Sequence, residues 1–339
     1  MRVPLSWLGE HVDLPVDVSL EHVHAALVSV GFEEEDVHVG DVKGPLVVGQ
    51  VLELQPEPQK NGKTINWCQV AVGPDDVRGI VCGAHNFVVG DKVVVSLPGA
   101  VLPGPFPIAA RKTYGHVSDG MIASTRELGL GDEHDGILLL SSLGLDPEVG
   151  TDAIALLGLD EAAVEINVTP DRGYALSMRG VAREYSHATG ASFTDPAGTV
   201  EPAAADGFAV SVVDDAPVRG RQAVATFVTR VVRGIDASRP TPTWMSSRLR
   251  LAGVRSISLP VDVTNYVMLE LGQPIHGYDL AAVRGGLTVR RAAAGEKLET
   301  LDGTVRALHV EDLVIADEQG AVGLAGVMRH AHRDGRGHH

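Results

Sequence analysis

The stretch Pro260-Val-Asp-Val-Thr-Asn-Tyr-Val-Met-Leu-Glu-Leu-Gly-Gln-Pro-Ile-His-Gly-Tyr-Asp279 sets Asp262, Thr264, Asn265, Glu270, Gln273, His276 and Asp279 into an otherwise strongly apolar segment. Val263, Val267 and Leu271 recur every four residues, the spacing of one buried stripe on a short helix. Gly272 supplies a stop, and Pro274 opposes any continuation. The β-branched Val263, Thr264 and Val267 pull against this reading, because they lose rotamer freedom in a helix. On a helix ending at Gly272, Thr264 and Asn265 sit on the helix and His276 on the turn that follows. Two readings stay open: these groups line a polar pocket, or they cap and tie the turn.

Upstream of this stretch, Thr241-Pro242-Thr-Trp-Met offers an N-cap and a proline in the first turn of a helix running to Leu251, with Arg255 beyond it. Strands are predicted over 209–213 and 222–232. Downstream, 286–291 and Glu299-Thr-Leu-Asp-Gly-Thr304 read as hairpin-like units, the second turning at Asp302-Gly303. The last predicted strands are 313–317 and 321–328. Arg329-His-Ala-His-Arg-Asp-Gly-Arg-Gly-His-His339 has no apolar periodicity.

The N-terminal half has a different rhythm. Ser19 is a plausible N-cap, Leu20, Val23, Leu27 and Val30 form a helical stripe, and Gly31 ends it. Glu33, Glu34, Glu35 and Asp36 then read as a solvated turn. Strand-like runs at 46–54, 66–72, 79–82, 92–97 and 136–140, separated by Gly, Pro and Asp clusters, suit a small closed β-barrel such as an OB-fold. Leu97-Pro-Gly-Ala-Val-Leu-Pro-Gly-Pro-Phe-Pro107 is too rich in proline for a central strand. Arg111, Lys112, Tyr114, His116 and Arg126 give this region a modest basic and aromatic set, readable either as a nucleic-acid surface or as a solvated edge. Residues 163–168 read as a strand. Ser177 caps a helix whose face is Met178, Val181, Ala182, Tyr185 and Ala188, stopped by Gly190. This segment is the expected packing partner of residues 1–39. Residues 191–207, rich in Ala, Pro, Asp and Gly, read as a linker.

A length of 339 residues predicts two or three domains. Apolar content of 44% with 21% charged residues is ordinary for a soluble globular protein. No apolar run approaches the ~20 residues needed to cross a bilayer, and Glu10, His11 and Asp13 interrupt any signal-peptide pattern. A cytoplasmic protein is expected, with Cys68 and Cys82 as reduced core thiols. The net charge of −16 opposes broad, charge-driven nucleic-acid binding while leaving room for a local RNA contact. Phosphate-loop, nucleophile-elbow and zinc-helix motifs are all lacking.

The order of segments resembles the bacterial phenylalanyl-tRNA synthetase beta-subunit family. The resemblance rests on Val3-Pro-Leu-Ser-Trp-Leu, Val48-Gly-Gln-Val, Ile80-Val-Cys-Gly-Ala, Leu97-Pro-Gly-Ala-Val-Leu-Pro-Gly, Ser118-Asp-Gly-Met-Ile-Ala-Ser, Glu127-Leu-Gly-Leu, Asp135-Gly-Ile-Leu, Val168-Thr-Pro-Asp-Arg, Leu176-Ser-Met-Arg-Gly-Val-Ala-Arg-Glu and the 260–279 stretch. It covers residues 1 to 328. The fold class expected is α+β multidomain: a small N-terminal α/β domain (1–39 plus 152–190) interrupted by an OB-fold-type tRNA-binding β-barrel (40–151), then the linker (191–207). On the resemblance, an incomplete mixed α/β editing domain of the B3/B4 type (208–328) and an aberrant tail (329–339) follow.

The family implies that tyrosine wrongly joined to phenylalanine tRNA is hydrolysed in the editing domain. Carried over by position, Arg255, Thr264, Asn265, Pro274 and His276 match the editing pocket. From the basic set noted above, Arg111, Lys112 and Arg126 are the residues expected to meet tRNA. The family further implies an alpha-subunit partner, with ATP and Mg²⁺ used by the complete enzyme and none bound by this chain; neither a membrane nor DNA is an implied partner. Arg329 and His330 stand where the family has two glycines, and a later strand bearing a tyrosine-reading glutamate is missing. These departures predict a beta subunit truncated within the editing domain, by a frame shift on the simplest reading, without ligase activity of its own. The alternatives are a stand-alone tRNA-binding module and a non-functional truncated product.

Overall fold

A computed structural model describes residues 1–198, 207–217, 219–326 and 328–329. It divides into two units, Met1–Pro196 with Ser238–Asp262 and Leu269–Gly272, and Ala197–Ala237 with Val263–Met268 and Gln273–His339.

In the first unit β1 (Arg2–Pro4) and α1 (Leu5–Leu8) lead to α2 (Leu20–Ser29). Ser19 caps α2 by accepting from the His22 amide, Val23 and Leu27 are buried, and Gly31 leaves with φ +98, a conformation that favours glycine. The acidic run Glu33 to Asp36 is not the solvated turn predicted: it is strand β2 (Glu33–Val39). The reason is a partner distant in sequence. β12 (Ala162–Asn167) lies between β1 and β2, antiparallel to both, and supplies the backbone ladder while the carboxylates stay exposed. Asn167 Nδ2 donates to Glu33 Oε2 at 2.8 Å.

Between these strands the chain makes a long excursion. β3 (Leu46–Pro58), β4 (Thr64–Gly73), β5 (Asp76–Cys82), β6 (Lys92–Ser96) and β11 (Met121–Ile122) form one antiparallel sheet in the order β11-β6-β3-β4-β5. Strand β6 is buried on both faces: Val93 and Val95 enter a cluster with Val51, Cys68, Val70 and Ile80, and Val94 enters another with Leu46, Val48, Leu102 and Leu140. Both cysteines are free and buried, and burial pushes the Cys68 thiol up to about 12. The proline-rich loop stays out of this sheet, forming only the short pair β7 (Val101–Leu102) and β8 (Phe106–Pro107).

The fifth strand predicted over 136–140 is not formed. Leu139 makes one bridge to Val93 and the chain turns into a 3-10 helix at Leu140–Leu143. Ile137, Leu138 and Leu140 are all buried, Ile137 in one cluster and the two leucines in the other. The side chains from 137 to 140 alternate between the two cores as a strand's would, but the chain makes only that one bridge before the helix begins, and β11 takes the edge position beside β6 instead.

The excursion ends at α3 (Ala153–Leu157), capped by Asp152, whose carboxylate accepts from the Ile154 amide at 2.8 Å. The two ends of the excursion run very close together. A Cβ on Gly40 would stand 1.7 Å from the Leu159 carbonyl oxygen, so only glycine fits there. After β12, Ser177 caps α4 (Met178–Thr189) by accepting from the Gly180 amide, and Gly190 stops it with φ +76. Helix α5 (Thr243–Leu251) begins one residue later than predicted, with Pro242 at the cap position, because the Thr241 hydroxyl is bonded to Asp262 instead. Helix α6 (Leu259–Leu271) then begins in the first unit.

The second unit is a sheet in the order β13-β14-β17-β18-β19, made of β13 (Val210–Val213), β14 (Leu287–Arg291), β17 (Leu313–Asp317), β18 (Gly320–Leu324) and β19 (Met328–Arg329). Only β13–β14 is parallel. A side hairpin of β15 (Lys297–Glu299) and β16 (Val305–Ala307) turns through Gly303 at φ +75, at the Asp-Gly pair read from the sequence.

No strand forms over 222–232. Val224 and Phe227, three residues apart, both pack on the core, which the two-residue strand period does not allow, and the Ala223 amide is held by Asp214 Oδ2 at 2.9 Å. The predicted 321–328 strand is two strands reversed at Gly326 (φ +74). Arg329 pairs with Gly323, so regular structure continues one residue past Met328. The rest of the predicted tail, 330–339, and residues 199–206 of the predicted linker lie outside the described residues.

Candidate functional site

Arg111 and Lys112 lie exposed on β9 (Arg111–Thr113), which pairs with β10 (His116–Ser118) through a tight turn at Tyr114 (φ +49) and Gly115 (φ +87). Positive φ at both central residues is what a two-residue hairpin demands. The Arg111 guanidinium lies 5.7 Å from the centre of the Phe106 ring. Arg126 is elsewhere. It is exposed on the loop after β11 and lines a groove of about 660 Å³ with Cys82, Met121, Ser124, Glu127 and His134. That loop is tied by a reciprocal pair, the Ser124 amide donating to Glu127 Oε2 (2.7 Å) and the Glu127 amide to Ser124 Oγ (3.2 Å). Arg111 and Lys112 do not line this groove, so the three predicted tRNA contacts form two patches.

His116 has a different setting. Its ring stacks on Trp67 with centroids 4.1 Å apart and planes 14° from parallel, and its Nε2 sits 3.0 Å from both Glu57 carboxylate oxygens. The Trp67 indole lies across Gly79 of β5, where a Cβ would come within 2.3 Å of the ring. Sequence reasoning missed Trp67. The available signal was Gly79, a glycine inside a strand, which marks close approach of another group.

In the 260–279 stretch, α6 ends at Leu271 and Gly272 takes φ +75, as predicted. The predicted stripe is not the buried one: Val263 is 41% exposed, and the buried residues are Val261 and Asp262. Asp262 decides the helix face. Its Oδ1 accepts from the Ile257 amide at 2.9 Å and its Oδ2 from the Thr241 and Ser256 hydroxyls. A fully buried carboxylate needs these partners.

Glu270 plays a similar part near the other end of the helix. The Trp7 indole N–H donates to Oε2, and His11 Nε2 lies 2.8 Å from Oε1. Burial pulls the Glu270 carboxyl upward, but the hydrogen bonds from His11 and Trp7 outweigh it and hold the group below the usual carboxylate range. For Asp262 and Glu270 the capping and tying reading therefore holds.

Thr264 and Asn265 are half-buried on α6, Pro274 is exposed and His276 half-buried on the turn beyond; these four belong to the second unit. Arg255 is exposed and belongs to the first. Among the described residues no group of three His, Cys, Asp or Glu is arranged to hold a metal ion, and no helix is long and apolar enough to cross a membrane.

Comparisons with known proteins agree with the order of these parts. The family described as "Putative tRNA binding domain" matches residues 46–144, and the B3/4 domain family matches 223–334, extending past Met328. The phenylalanine–tRNA ligase beta subunit of Leifsonia xyli is 67% identical over 344 residues, covering 97% of this chain and 41% of that protein. Its counterpart in Thermobifida fusca is 53% identical over 334 residues, covering 97% and 39%, and that of Bifidobacterium longum is 50% identical over 358 residues, covering 96% and 41%. The chain spans about 41% of the length of the first of these relatives and belongs to the phenylalanine–tRNA ligase beta-subunit family of aminoacyl-tRNA synthetases.

Proposed function

We propose that the chain serves a phenylalanine–tRNA ligase, with residues 46–144 as an OB-type tRNA-binding domain and the 223–334 region contributing to an editing pocket. The observation that carries this reading is the presence of both matched domains, in order, in a chain 67% identical to a curated beta subunit. The partners would be phenylalanine tRNA and an alpha subunit, in the cytoplasm. ATP and Mg²⁺ would belong to the complete enzyme.

In editing, water attacks the ester carbonyl that joins tyrosine to the tRNA ribose. The carbonyl–ribose oxygen bond breaks, releasing tyrosine and free tRNA. Asn265 would hold the aminoacyl group, with Thr264 and Pro274 shaping its surroundings, and His276 would orient or deprotonate the water. Selectivity follows from polar groups that bond a tyrosine hydroxyl and are left unpaired by phenylalanine, which costs the wrong fit on the order of 1–3 kcal/mol per buried group. The test is tyrosine release from mischarged phenylalanine tRNA with the native chain and with His276→Ala. The variant is expected to be about a hundredfold slower; equal rates exclude an editing role for His276.

A second reading, a free tRNA-binding module, draws support from the two buried clusters of the 42–159 region, which require nothing from residues 208 onward. Co-purification with an alpha subunit separates the two readings: a complex supports the first, and tRNA binding without one supports the second.

A further inference from the structure

The Trp67–His116–Glu57 arrangement lies outside the groove of Arg126, and the resemblance assigns it no role. Trp67 shares its face of the sheet with Gln55 and Glu57, opposite the core residues Cys68 and Val70. His116 and Glu57 stay 27% and 26% exposed, so the stack has an open rim. Basic residues gather round it although the whole chain is acidic. Lys60 and Lys63 stand exposed on the β3–β4 turn, directly beyond Glu57 and Pro58. Arg111 is paired with Ser118, which places it on the same face of the hairpin as His116 and about 7 Å along it.

These cations differ from others nearby. Arg78 is engaged by Asp76 and Asp119, and Lys92 by Asp146, whereas Lys60, Lys63 and Arg111 have no carboxylate partner among the described residues. An aromatic surface with free cations on two sides is the chemistry that holds single-stranded nucleic acid: any base has a face to stack, and the flanking phosphates need neutralising.

We propose that the open rim of the Trp67–His116 stack seats an unpaired nucleobase of RNA, with Lys60, Lys63 and Arg111 meeting the phosphates on either side. The inference rests on the tRNA-binding reading and narrows it to one unpaired segment. Glu57 fixes the imidazole plane through its two oxygens, so the seat exists before RNA arrives and little ordering is lost on binding. The small number of free cations makes the interaction local, as the net charge of −16 requires.

The test is fluorescence anisotropy of a labelled single-stranded oligouridylate and of phenylalanine tRNA against the full chain. His116→Ala is expected to weaken oligouridylate binding about tenfold, the size of one lost stacked base. His116→Phe, which keeps a flat ring, is expected to retain affinity within about twofold. The Lys60→Ala/Lys63→Ala pair is expected to reduce the slope of log affinity against log salt by roughly 1. If His116→Ala lowers thermal stability and leaves affinity unchanged, the stack only locks the hairpin; the proposal is overturned and tRNA binding stands. If the native chain binds neither RNA, both fall. Should His116→Ala fail to fold, the two lysines decide, because they make no ion pair among the described residues: unchanged affinity and salt slope overturn the proposal.

Discussion

The central sheet of the first unit and the sheet of the second are both antiparallel over most of their strands, yet they are held by different forces. In the first, β6 is buried on both faces, and two apolar clusters fill the spaces on either side. In the second, the clusters are small, one around Val289 and Val322 and one around Leu298 and Val314. Charged groups supply much of the remaining order. Arg290 makes a two-point contact with Glu296, and Arg291 grips Asp214 together with the backbone oxygens of Ala216 and Glu311. Apolar contact is indifferent to pH, whereas paired carboxylates are not. The two units should therefore respond differently to truncation and to acid.

The largest effect that would sharpen this contrast is cavity formation. Ile80→Ala, at a fully buried position, is expected to cost about 3–4 kcal/mol in urea unfolding, with lost amide protection confined to the first unit in hydrogen exchange. Loss of protection spread equally over residues 287–324 would break the distinction.

The next effect concerns acid. Glu296 is held at about 2, chiefly by hydrogen bonds from Arg290, against an ordinary value of 4.5. Its folded value is depressed, so its stabilisation is complete above about pH 4.5 and is lost as the pH falls toward 2, an effect of roughly 2–3 kcal/mol. Glu296→Gln is expected to lower neutral-pH stability by about 2 kcal/mol and to flatten that acid limb. An unchanged acid limb would show that the pair is not what holds this sheet.

The smallest effect is at a helix end. Ser177 Oγ accepts from the Gly180 amide and donates to the Tyr174 carbonyl. Ser177→Ala should cost about 1 kcal/mol, with fraying limited to the first turn of α4 by hydrogen exchange.

What could be read from the sequence follows the range of the forces involved. Ser19 with Gly31, and Ser177 with Gly190, mark helix ends through contacts within a few residues, and both helices are present as read. The long alternating runs of β3 and β4 were legible for the same reason. The misread segments depend on partners far away in sequence. Glu33 to Asp36 became a strand because β12, over a hundred residues later, needed an edge partner. The 136–140 run lost its strand because the chain coils into the Leu140–Leu143 helix after a single bridge to Val93, while β11 holds the edge beside β6. At the candidate site, the sequence marked His116 as part of a loose basic set but not its pairing with Trp67, which arises only when β10 comes to lie beside β5, joined by Val81 N to Ser118 Oγ at 3.0 Å. The helix and stop around Thr264, Asn265 and His276 were readable, while the buried role of Asp262 was not, since its partner Thr241 lies twenty-one residues upstream.

The contact between Gly40 and the Leu159 carbonyl has a use in protein engineering. Segment 41–158 departs and returns through a single narrow neck, so its two ends are already joined in space. A linker of about two or three residues could span that gap with little loop-closure cost. The β1-β12-β2 layer could then be made without its excursion, and the excursion carried into another host protein, each tested for folding in the absence of the other.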